Sequence, residues 1–111
     1  MPMESSEYLM VYNTCPDQAV AEKIATELVQ QKLAACVNIV AGMQSIYHWQ
    51  GKLEKSAEVL LLIKTRREVY PQMESFIVEN HPYELPEIVA VPIMQGLPGY
   101  LGWIDQEIKS I

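Results

Sequence analysis

Hydrophobic and polar residues near the start of the chain change from the period of a strand to that of a helix. Residues 8–14, YLMVYNT, alternate and are rich in β-formers, which predicts a first strand. Apolar positions then recur at helical spacing, which predicts an amphipathic helix over residues 17–32. We expect Cys15-Pro16-Asp17 to start this helix, because proline is tolerated in a first turn.

Two long extended segments follow this helix. Residues 37–49 and 53–65 both have the composition of strands, and they are separated by Gln50-Gly51-Lys52, which is typical of a hairpin turn. Gly42 lies inside the first segment and indicates a bulge or bend. The pattern therefore predicts a long two-stranded hairpin.

The rest of the chain adds a helix, a strand and a helix. The second helix follows Arg67 with Pro71 in its first turn, residues 88–91 form a short strand, and a closing helix runs from about residue 99 to 109. The order β-α-β-β-α-β plus a terminal helix is typical of an α+β, ferredoxin-like split βαβ sandwich. Right-handed crossovers then predict an antiparallel sheet in the order 4-1-3-2, with two helices on one face.

We expect residues 1–111 to form a single domain in which residues 1–7 are a flexible N-terminus. The predicted hairpin is long for a domain of this size. Strands of about 13 residues span roughly 43 Å, whereas a compact domain of this length is about 34 Å across. Residues 59–63, VLLLI, are apolar on both faces of their strand, although a sheet with water on one side would alternate. We therefore predict a homo-oligomer in which another copy covers the second face; the alternative cover is the terminal helix.

Charge and composition exclude several classes of partner. The formal net charge is -6 and the sequence pI is about 4.8, without the Lys and Arg clusters that nucleic-acid binding requires. No apolar run approaches the roughly 18 residues of a membrane span, and no basic segment followed by an apolar one marks a secretory signal. We expect a cytoplasmic protein that binds neither nucleic acid nor membranes, with Cys15 and Cys36 as free thiols.

Cys15 and His81 are the candidate metal ligands. A helix N-terminus lowers the pKa of a nearby thiol and favours the thiolate, so Cys15 is either a ligand or an ordinary half-buried cysteine at a helix start. Cys36 lies in an apolar strand, and we expect it in the core. His81 begins the proline-braced segment HPYELPEIVAVP, close to Glu84 and Glu87, and imidazole together with thiolate suits copper and zinc. The alternative role of His81 is to cap the preceding helix at its C-terminus.

The remaining candidates are a lysine and several aromatic residues. Lys64 ends a strand, where it either meets an anion or forms an ion pair with a glutamate of the histidine-containing segment. Trp49, Tyr83 and Trp103 are amphipathic aromatic residues of the kind that is enriched at interfaces. No Ser-His-Asp order, Gly-rich phosphate loop or spaced carboxylate pair occurs, so we expect no enzymatic activity.

Several stretches taken together resemble the CutA family of divalent-cation tolerance proteins. They are Thr14-Cys15-Pro16, KLAACVN at 32–38, SIYHWQGKLE at 45–54, LIKT at 62–65, HPYELPEI at 81–88 and YLGW at 100–103. The resemblance runs in the family's order from about residue 8 to the C-terminus. The resemblance implies a ferredoxin-like subunit of a tight cytoplasmic homotrimer joined through its long hairpins, with no established catalytic activity and no organic cofactor.

The resemblance also implies a site for copper(II) or another divalent cation near a cleft between subunits. The family's proposed ligands are a cysteine near the end of the first strand and histidines just before the Pro-Tyr of the loop. In this sequence Asn13 stands at the strand position, Cys15 follows two residues later, and one histidine remains. The predicted metal ligands are therefore His81, which stands on the family's motif, with Cys15 or Glu84 as helpers. The implied cleft residues are Lys64, Tyr83, Glu87, Trp49 and Trp103.

Two functions follow from the resemblance and stay open at this point. In the first, a metal-responsive trimer coordinates copper through His81, helped by Cys15 or Glu84. The second function follows from the family's architecture, which is similar to that of P-II signalling trimers. The clefts between the subunits of those trimers bind small molecules. In that case the protein is a signalling or scaffold trimer whose cleft binds a small organic ligand or a protein partner.

Overall fold

The computed structural model describes residues 7–110, so the prediction of a flexible segment over residues 1–7 lies outside the described residues except at Glu7. The strands are β1 (Tyr8–Cys15), β2 (Cys36–Trp49), β3 (Lys52–Arg66) and β4 (Ile88–Pro92), and the α-helices are α1 (Gln18–Gln30), α2 (Tyr70–Asn80) and α3 (Pro98–Glu107). A 3-10 turn at Arg67–Val69 leads into α2, which carries Pro71 in its first turn as predicted.

The four strands form one antiparallel sheet in the order β2-β3-β1-β4. This is the predicted order 4-1-3-2 counted from the other edge, and it confirms the ferredoxin-like split βαβ arrangement. The central strand β1 pairs with β3 from Tyr8 opposite Arg66 to Cys15 opposite Val59. Consequently β2 and β4 are the two outer strands, and the hairpin of β2 and β3 forms one side of the sheet.

Helix α1 begins later than the sequence pattern predicts. Cys15 is the last residue of β1, and the N-cap of the helix is Asp17, whose Oδ1 accepts a hydrogen bond from the Val20 backbone N–H at 2.8 Å. A capping carboxylate satisfies a helix N–H group that has no partner within the helix, which is why the helix starts at Gln18. The prediction that Cys15 and Pro16 belong to the helix start is therefore wrong.

The main core lies between one face of the sheet and the helices α1 and α2. Fully buried apolar side chains come from both central strands and both helices: Val11, Leu61, Ile63, Ile24, Leu28, Met73 and Ile77. Burial of one such side chain contributes about 1.5–3 kcal/mol relative to leaving it in water. This core holds the sheet rigid, and with it the residues that line the candidate site.

The hairpin extends beyond this core. None of residues 41–57 is buried, and the longest dimension of the molecule is 43 Å. The turn is tight because Gln50 and Gly51 have positive φ angles of 52° and 82°, the pattern of a two-residue type I′ turn. The predicted overhang of the hairpin is therefore present in the single chain.

A bulge at Gly42 decides which side chains share a face of the hairpin. Between the pairs Val40–Leu60 and Met43–Glu58, β2 advances by three residues while β3 advances by two. Gly42 sits in the extra position with a φ of 84°, a conformation that side-chain-bearing residues rarely adopt. Because one extra residue exchanges the two faces of a strand, the aromatic residues near the tip of β2 share a face with Glu58.

The face of the sheet opposite α1 and α2 is only partly covered. Helix α3 crosses one end of it, where the Asp105 carboxylate accepts a 2.8 Å hydrogen bond from the Tyr8 hydroxyl and another from Arg66. Elsewhere on this face, Val89 and Val91 of β4 are 49% and 43% exposed. The terminal helix thus covers one end of this face and leaves apolar side chains of β4 in solvent in the single chain.

A cleft between the hairpin and the proline loop as the candidate functional site

A cavity of about 940 Å³ lies between the hairpin and the loop that follows α2. Residues 82–87, with Pro82 and Pro86, are referred to below as the proline loop. The cavity is lined by Thr14, Ser45, Ile46, Tyr47, Trp49, Glu58 and residues 82–89. Sites for small molecules in proteins have volumes of about 300–1,000 Å³, so the cavity is large enough for a small organic ligand.

The His81 ring holds the start of the proline loop against β1. The Tyr83 backbone N–H donates to Nδ1 at 3.1 Å, so Nδ1 carries no proton and Nε2 carries one. Nε2 then donates to the Thr14 carbonyl oxygen at 2.8 Å. Both ring nitrogens of His81 therefore take part in hydrogen bonds. The residue is only 8% exposed. The residue also stands at the C-cap position of α2, where the alternative prediction placed it.

Two further hydrogen bonds fix the proline loop to the sheet. The Asn13 side-chain Nδ2 donates to the Glu87 carbonyl oxygen at 2.8 Å, and the Tyr83 hydroxyl donates to Glu58 Oε2 at 2.7 Å. Asn13 is fully buried and Glu58 is 7% exposed. Burial and the bond to Glu58 raise the pKa of Tyr83 above its ordinary value, so its hydroxyl remains a donor at neutral pH. The loop is thus tied to both β1 and β3.

The charged residues that line the cavity are all acidic. They are Glu58, Glu84 and Glu87, and no Lys, Arg or His is among the lining residues. Glu84 and Glu87 are exposed, whereas Glu58 is buried. A concave surface with charges of one sign concentrates the field, so this cavity favours cationic over anionic groups.

Cys15 does not have the properties of a metal ligand in this structure. It is fully buried at the end of β1, and its thiol donates to Asn13 Oδ1 at 3.5 Å. Burial, followed by the charges of Glu58 and Asp17, raises the pKa of Cys15 to about 11. The prediction of a lowered thiol pKa is wrong because the residue lies in a strand with acidic neighbours, and the thiol is protonated at neutral pH.

The other two predicted ligands do not complete a metal site with Cys15. The two hydrogen bonds of His81 leave no free nitrogen lone pair, and Glu84 is exposed. Within residues 7–110, no three His, Cys, Asp or Glu side chains are grouped closely enough to hold an ion. The donor set of a single chain in this conformation therefore does not supply the several converging ligands that a copper ion requires.

Three of the five predicted cleft residues come together at the cavity, and two do not. The residues that line it are Trp49, Tyr83 and Glu87; the residues that do not are Lys64 and Trp103. The aromatic ring of Tyr83 also lies 4.8 Å from that of His81, centre to centre. The cavity therefore forms within one chain from β1, the hairpin and the proline loop.

Lys64 and Trp103 lie near α3 and the start of β2. Lys64 donates to the Asn38 side-chain oxygen, and its Nζ is 3.9 Å from Cys36 Sγ. Trp103 packs against Tyr100 with 5.4 Å between the ring centres. Cys36 is partly exposed opposite Lys64, so its predicted place in the core is wrong. The reason is that Cys36 faces away from α1 and α2.

Glu58 is the residue of the site that the sequence patterns did not single out. It directly precedes the apolar run VLLLI in β3, and its position as an acidic residue at the edge of a buried run was the available signal. A charged residue there is usually solvated, and only the tertiary structure reveals that Tyr83 covers it.

The chain is similar over most of its length to proteins of one family. The family model described as CutA1 divalent ion tolerance protein matches residues 9–107. The chain is 45% identical over 98 residues to Protein CutA of Mus musculus, which covers 88% of this chain and 55% of that protein. It is 47% identical over 97 residues to the Divalent-cation tolerance protein CutA of Thermus thermophilus. The matched residues cover 87% of this chain and 94% of that protein. The chain thus spans about half the length of the mouse protein.

Solved structures of similar proteins have the same fold. The crystal structure of CutA from Xylella fastidiosa superposes with a TM-score of 0.91 at 45% identity, covering 94% of this chain and 100% of that one. The divalent cation tolerance protein of Thermus thermophilus superposes with a TM-score of 0.90 at 44% identity. The superposition covers 92% of this chain and 99% of that one. Both confirm the mixed α+β architecture.

Relatives differ in the cellular location that their names give. A relative from Arabidopsis thaliana is named chloroplastic. It is 41% identical over 102 residues, which cover 92% of this chain and 56% of that protein. A structure from Archaeoglobus fulgidus is named periplasmic. It superposes with a TM-score of 0.89 at 38% identity and covers 92% of this chain and 99% of its own. No helix among residues 7–110 is long and apolar enough to cross a membrane. The cytoplasmic location stays a prediction.

Proposed function

Because the chain belongs to the CutA1 family of divalent ion tolerance proteins, we propose that it takes part in the response to divalent cations as a homotrimeric binding protein. In this proposal the cavity beside the proline loop binds a small organic ligand or a peptide of a protein partner. Tolerance to metal ions then follows indirectly from that binding. The role is one of binding and signalling, without catalysis.

One observation carries the choice of an organic ligand over a copper ion. The groups that the sequence offers as metal ligands are used to shape the cavity: His81 bonds to Thr14 and Tyr83, and Cys15 bonds to Asn13. Coordination of copper by His81 requires the loss of at least one of its two hydrogen bonds. The cavity is preformed in the single chain and is lined by the aromatic residues Tyr47, Trp49 and Tyr83, as small-molecule sites commonly are.

The proposed assembly is supported by the surfaces that the single chain leaves open. β2 and β4 are outer strands, and edge strands offer backbone groups for pairing with another chain. Val91 is 43% exposed on the face that α3 does not cover, outside the lining of the cavity. Since another copy of the same sheet matches this face in size and character, it is the simplest cover, and the trimer is the assembly that the family resemblance implies.

The absence of catalysis in the proposal is supported by the state of Cys15, the cysteine at the end of β1. Cys15 is buried as the thiol, and the nearby imidazole of His81 donates to a carbonyl oxygen rather than accepting a proton from sulfur. A cysteine nucleophile requires a thiolate or an adjacent base. Neither requirement is met in this arrangement.

The proposal is tested by calorimetric titration of copper(II) into the purified native oligomer, His81→Ala and Cys15→Ser. His48→Ala is the matched control because His48 is exposed near the hairpin turn. Circular dichroism and light scattering establish that each variant is folded and has the native mass. We expect weak copper binding that neither His81→Ala nor Cys15→Ser changes. Saturable binding of one ion per chain, lost in His81→Ala or Cys15→Ser but kept in His48→Ala, would contradict the proposal.

A further inference from the structure

We propose that the cavity between the hairpin and the proline loop binds an organic ammonium ion, with Glu58 as the counterion and aromatic side chains around the cationic group. This inference rests on the proposed function, because it names the chemical class of the ligand for the same cavity. The ligand is a small amine rather than a metal ion, a neutral molecule or an anion.

The environment of Glu58 is the first support. The residue is 7% exposed and lines the cavity, and the hydrogen bond that its carboxylate accepts from Tyr83 comes from a neutral hydroxyl. The ion pairs found among residues 7–110 all involve Arg66, so no basic side chain of the described chain neutralises Glu58. A buried carboxylate is costly without a positive partner. A ligand ammonium group would supply that partner.

Aromatic side chains are the second support, independent of the first. Tyr47, Trp49 and Tyr83 line the same cavity, and two of them are held by hydrogen bonds of their hydroxyl groups. Tyr47 shares a 3.0 Å bond with the Ser56 hydroxyl, and Tyr83 donates to Glu58 at 2.7 Å. Aromatic faces attract cations, and clusters of them are a known means of recognising alkylated ammonium groups.

The spread of the carboxylates argues for an organic cation rather than a single metal ion. Glu58, Glu84 and Glu87 all line the cavity, but no three acidic, His or Cys side chains in residues 7–110 are close enough together to hold one ion. A volume of about 940 Å³ also far exceeds what one ion needs. An extended amine fills this space and meets separated carboxylates with separated charges.

The test uses three five-carbon probes that differ in charge: 1,5-diaminopentane, 1,5-pentanediol and glutarate. Each is titrated into the native oligomer at neutral pH and near-physiological salt, so that long-range attraction by the acidic surface is screened. The readout is the indole N–H signal of Trp49 in the ¹H–¹⁵N NMR spectrum. The chain has two tryptophans, and Trp103, which does not line the cavity, serves as an internal reference.

Variants establish whether the binding is specific to the cavity. Glu58→Gln removes the charge but keeps an oxygen that accepts from Tyr83, and Glu22→Gln removes the same charge from the exposed surface of α1. Tyr47→Leu removes one aromatic face at a position that is 42% exposed, so this variant tests the inference even if Glu58→Gln is poorly folded.

We expect the diamine to shift the Trp49 signal in a saturable way, while the diol and glutarate leave it in place. Glu58→Gln should weaken diamine binding by about tenfold or more, since a hydrogen bond to a charged group is lost. Tyr47→Leu should also weaken it, and Glu22→Gln should not. Equal diamine affinity in native protein and Glu58→Gln, or no diamine-dependent shift of Trp49, would overturn the inference.

The outcomes separate this inference from the proposed function. A saturable shift of Trp49 with the diol or glutarate, but not with the diamine, overturns the ammonium class and leaves the organic-ligand cavity in place. If none of the probes shifts Trp49 and copper binding depends on His81, both the inference and the proposed function fail.

Discussion

The Tyr83 hydroxyl donates a 2.7 Å hydrogen bond to Glu58, which joins the proline loop to a strand of the hairpin 25 positions earlier in the chain. Glu58 is 7% exposed, so this bond partly compensates a carboxylate that burial removes from water. The same contact positions two lining residues of the cavity. It therefore links the stability of the fold to the shape of the candidate site.

Removal of this hydroxyl should destabilise the protein. In Tyr83→Phe the Glu58 carboxylate loses its donor in a buried position, and we expect the free energy of unfolding to fall by about 1–3 kcal/mol. Tyr70→Phe is the matched control, because the Tyr70 hydroxyl donates to Glu74 at 2.8 Å on the exposed surface of α2. Its effect should be less than about 0.5 kcal/mol. Urea denaturation measures both; equal effects would contradict the account of Glu58.

Alkaline pH should weaken the contribution of Cys15 to stability. Its pKa is raised by burial and by acidic neighbours from 9.0 to about 11, so the folded state holds the proton more tightly than the unfolded state. The contribution is fully present below pH 9 and is lost as the pH rises to about 11. We expect the native protein to lose stability relative to Cys15→Ser over this range. A difference that is constant from pH 8 to 11 would show that the thiol pKa is not raised.

Glycines should differ in their tolerance of alanine according to their backbone conformation. Gly51 has a φ of 82° in the hairpin turn, so Gly51→Ala strains the turn and should cost about 1 kcal/mol or more. Gly102 lies within α3 and an added Cβ meets nothing within 4 Å, so Gly102→Ala should stabilise by about 0.5–1 kcal/mol. Thermal unfolding followed by circular dichroism compares the two. Stabilisation by Gly51→Ala would contradict the assigned turn.

The exposed face of β4 should be needed for assembly. Val91→Lys places a charge on the face that we propose another copy covers, and it should lower the particle mass measured by light scattering. Val78→Lys is the control, because Val78 is 52% exposed on the outer side of α2, away from the proposed contact. Val91→Lys with the native mass of an oligomer, or a native protein that is monomeric, would argue against the proposed assembly.

Local patterns account for most of the fold but for only part of the site. The hairpin and its turn could be predicted because Gly51 and two runs of β-formers are adjacent in sequence. The helix start was placed at Cys15-Pro16-Asp17, whereas α1 begins at Gln18 with Asp17 as its N-cap. That boundary depends on the hydrogen bond from Val20 to the Asp17 carboxylate, a feature of side-chain geometry.

The properties of the site residues depend on contacts between distant parts of the chain. His81 is a plausible metal ligand by residue type, but its partner Thr14 is 67 positions away and takes one of its nitrogens. Asn13 likewise holds the Glu87 carbonyl oxygen over 74 positions. Neither contact has a periodic signal in the sequence. Chemistry inferred from residue type alone therefore assigned His81 a free lone pair that the fold does not leave.

The His81 ring serves to build the cavity, and its two ring nitrogens report on this role directly. ¹⁵N NMR of the histidine rings distinguishes this structural role from a role as copper ligand. Spectra are recorded at neutral pH before and after addition of one equivalent of copper(II) per chain. We expect a His81 ring in which Nε2 carries the proton and Nδ1 accepts a hydrogen bond, with signals that copper does not selectively broaden. A ring with the proton on Nδ1, or copper broadening confined to His81 while exposed His48 is unaffected, would contradict it.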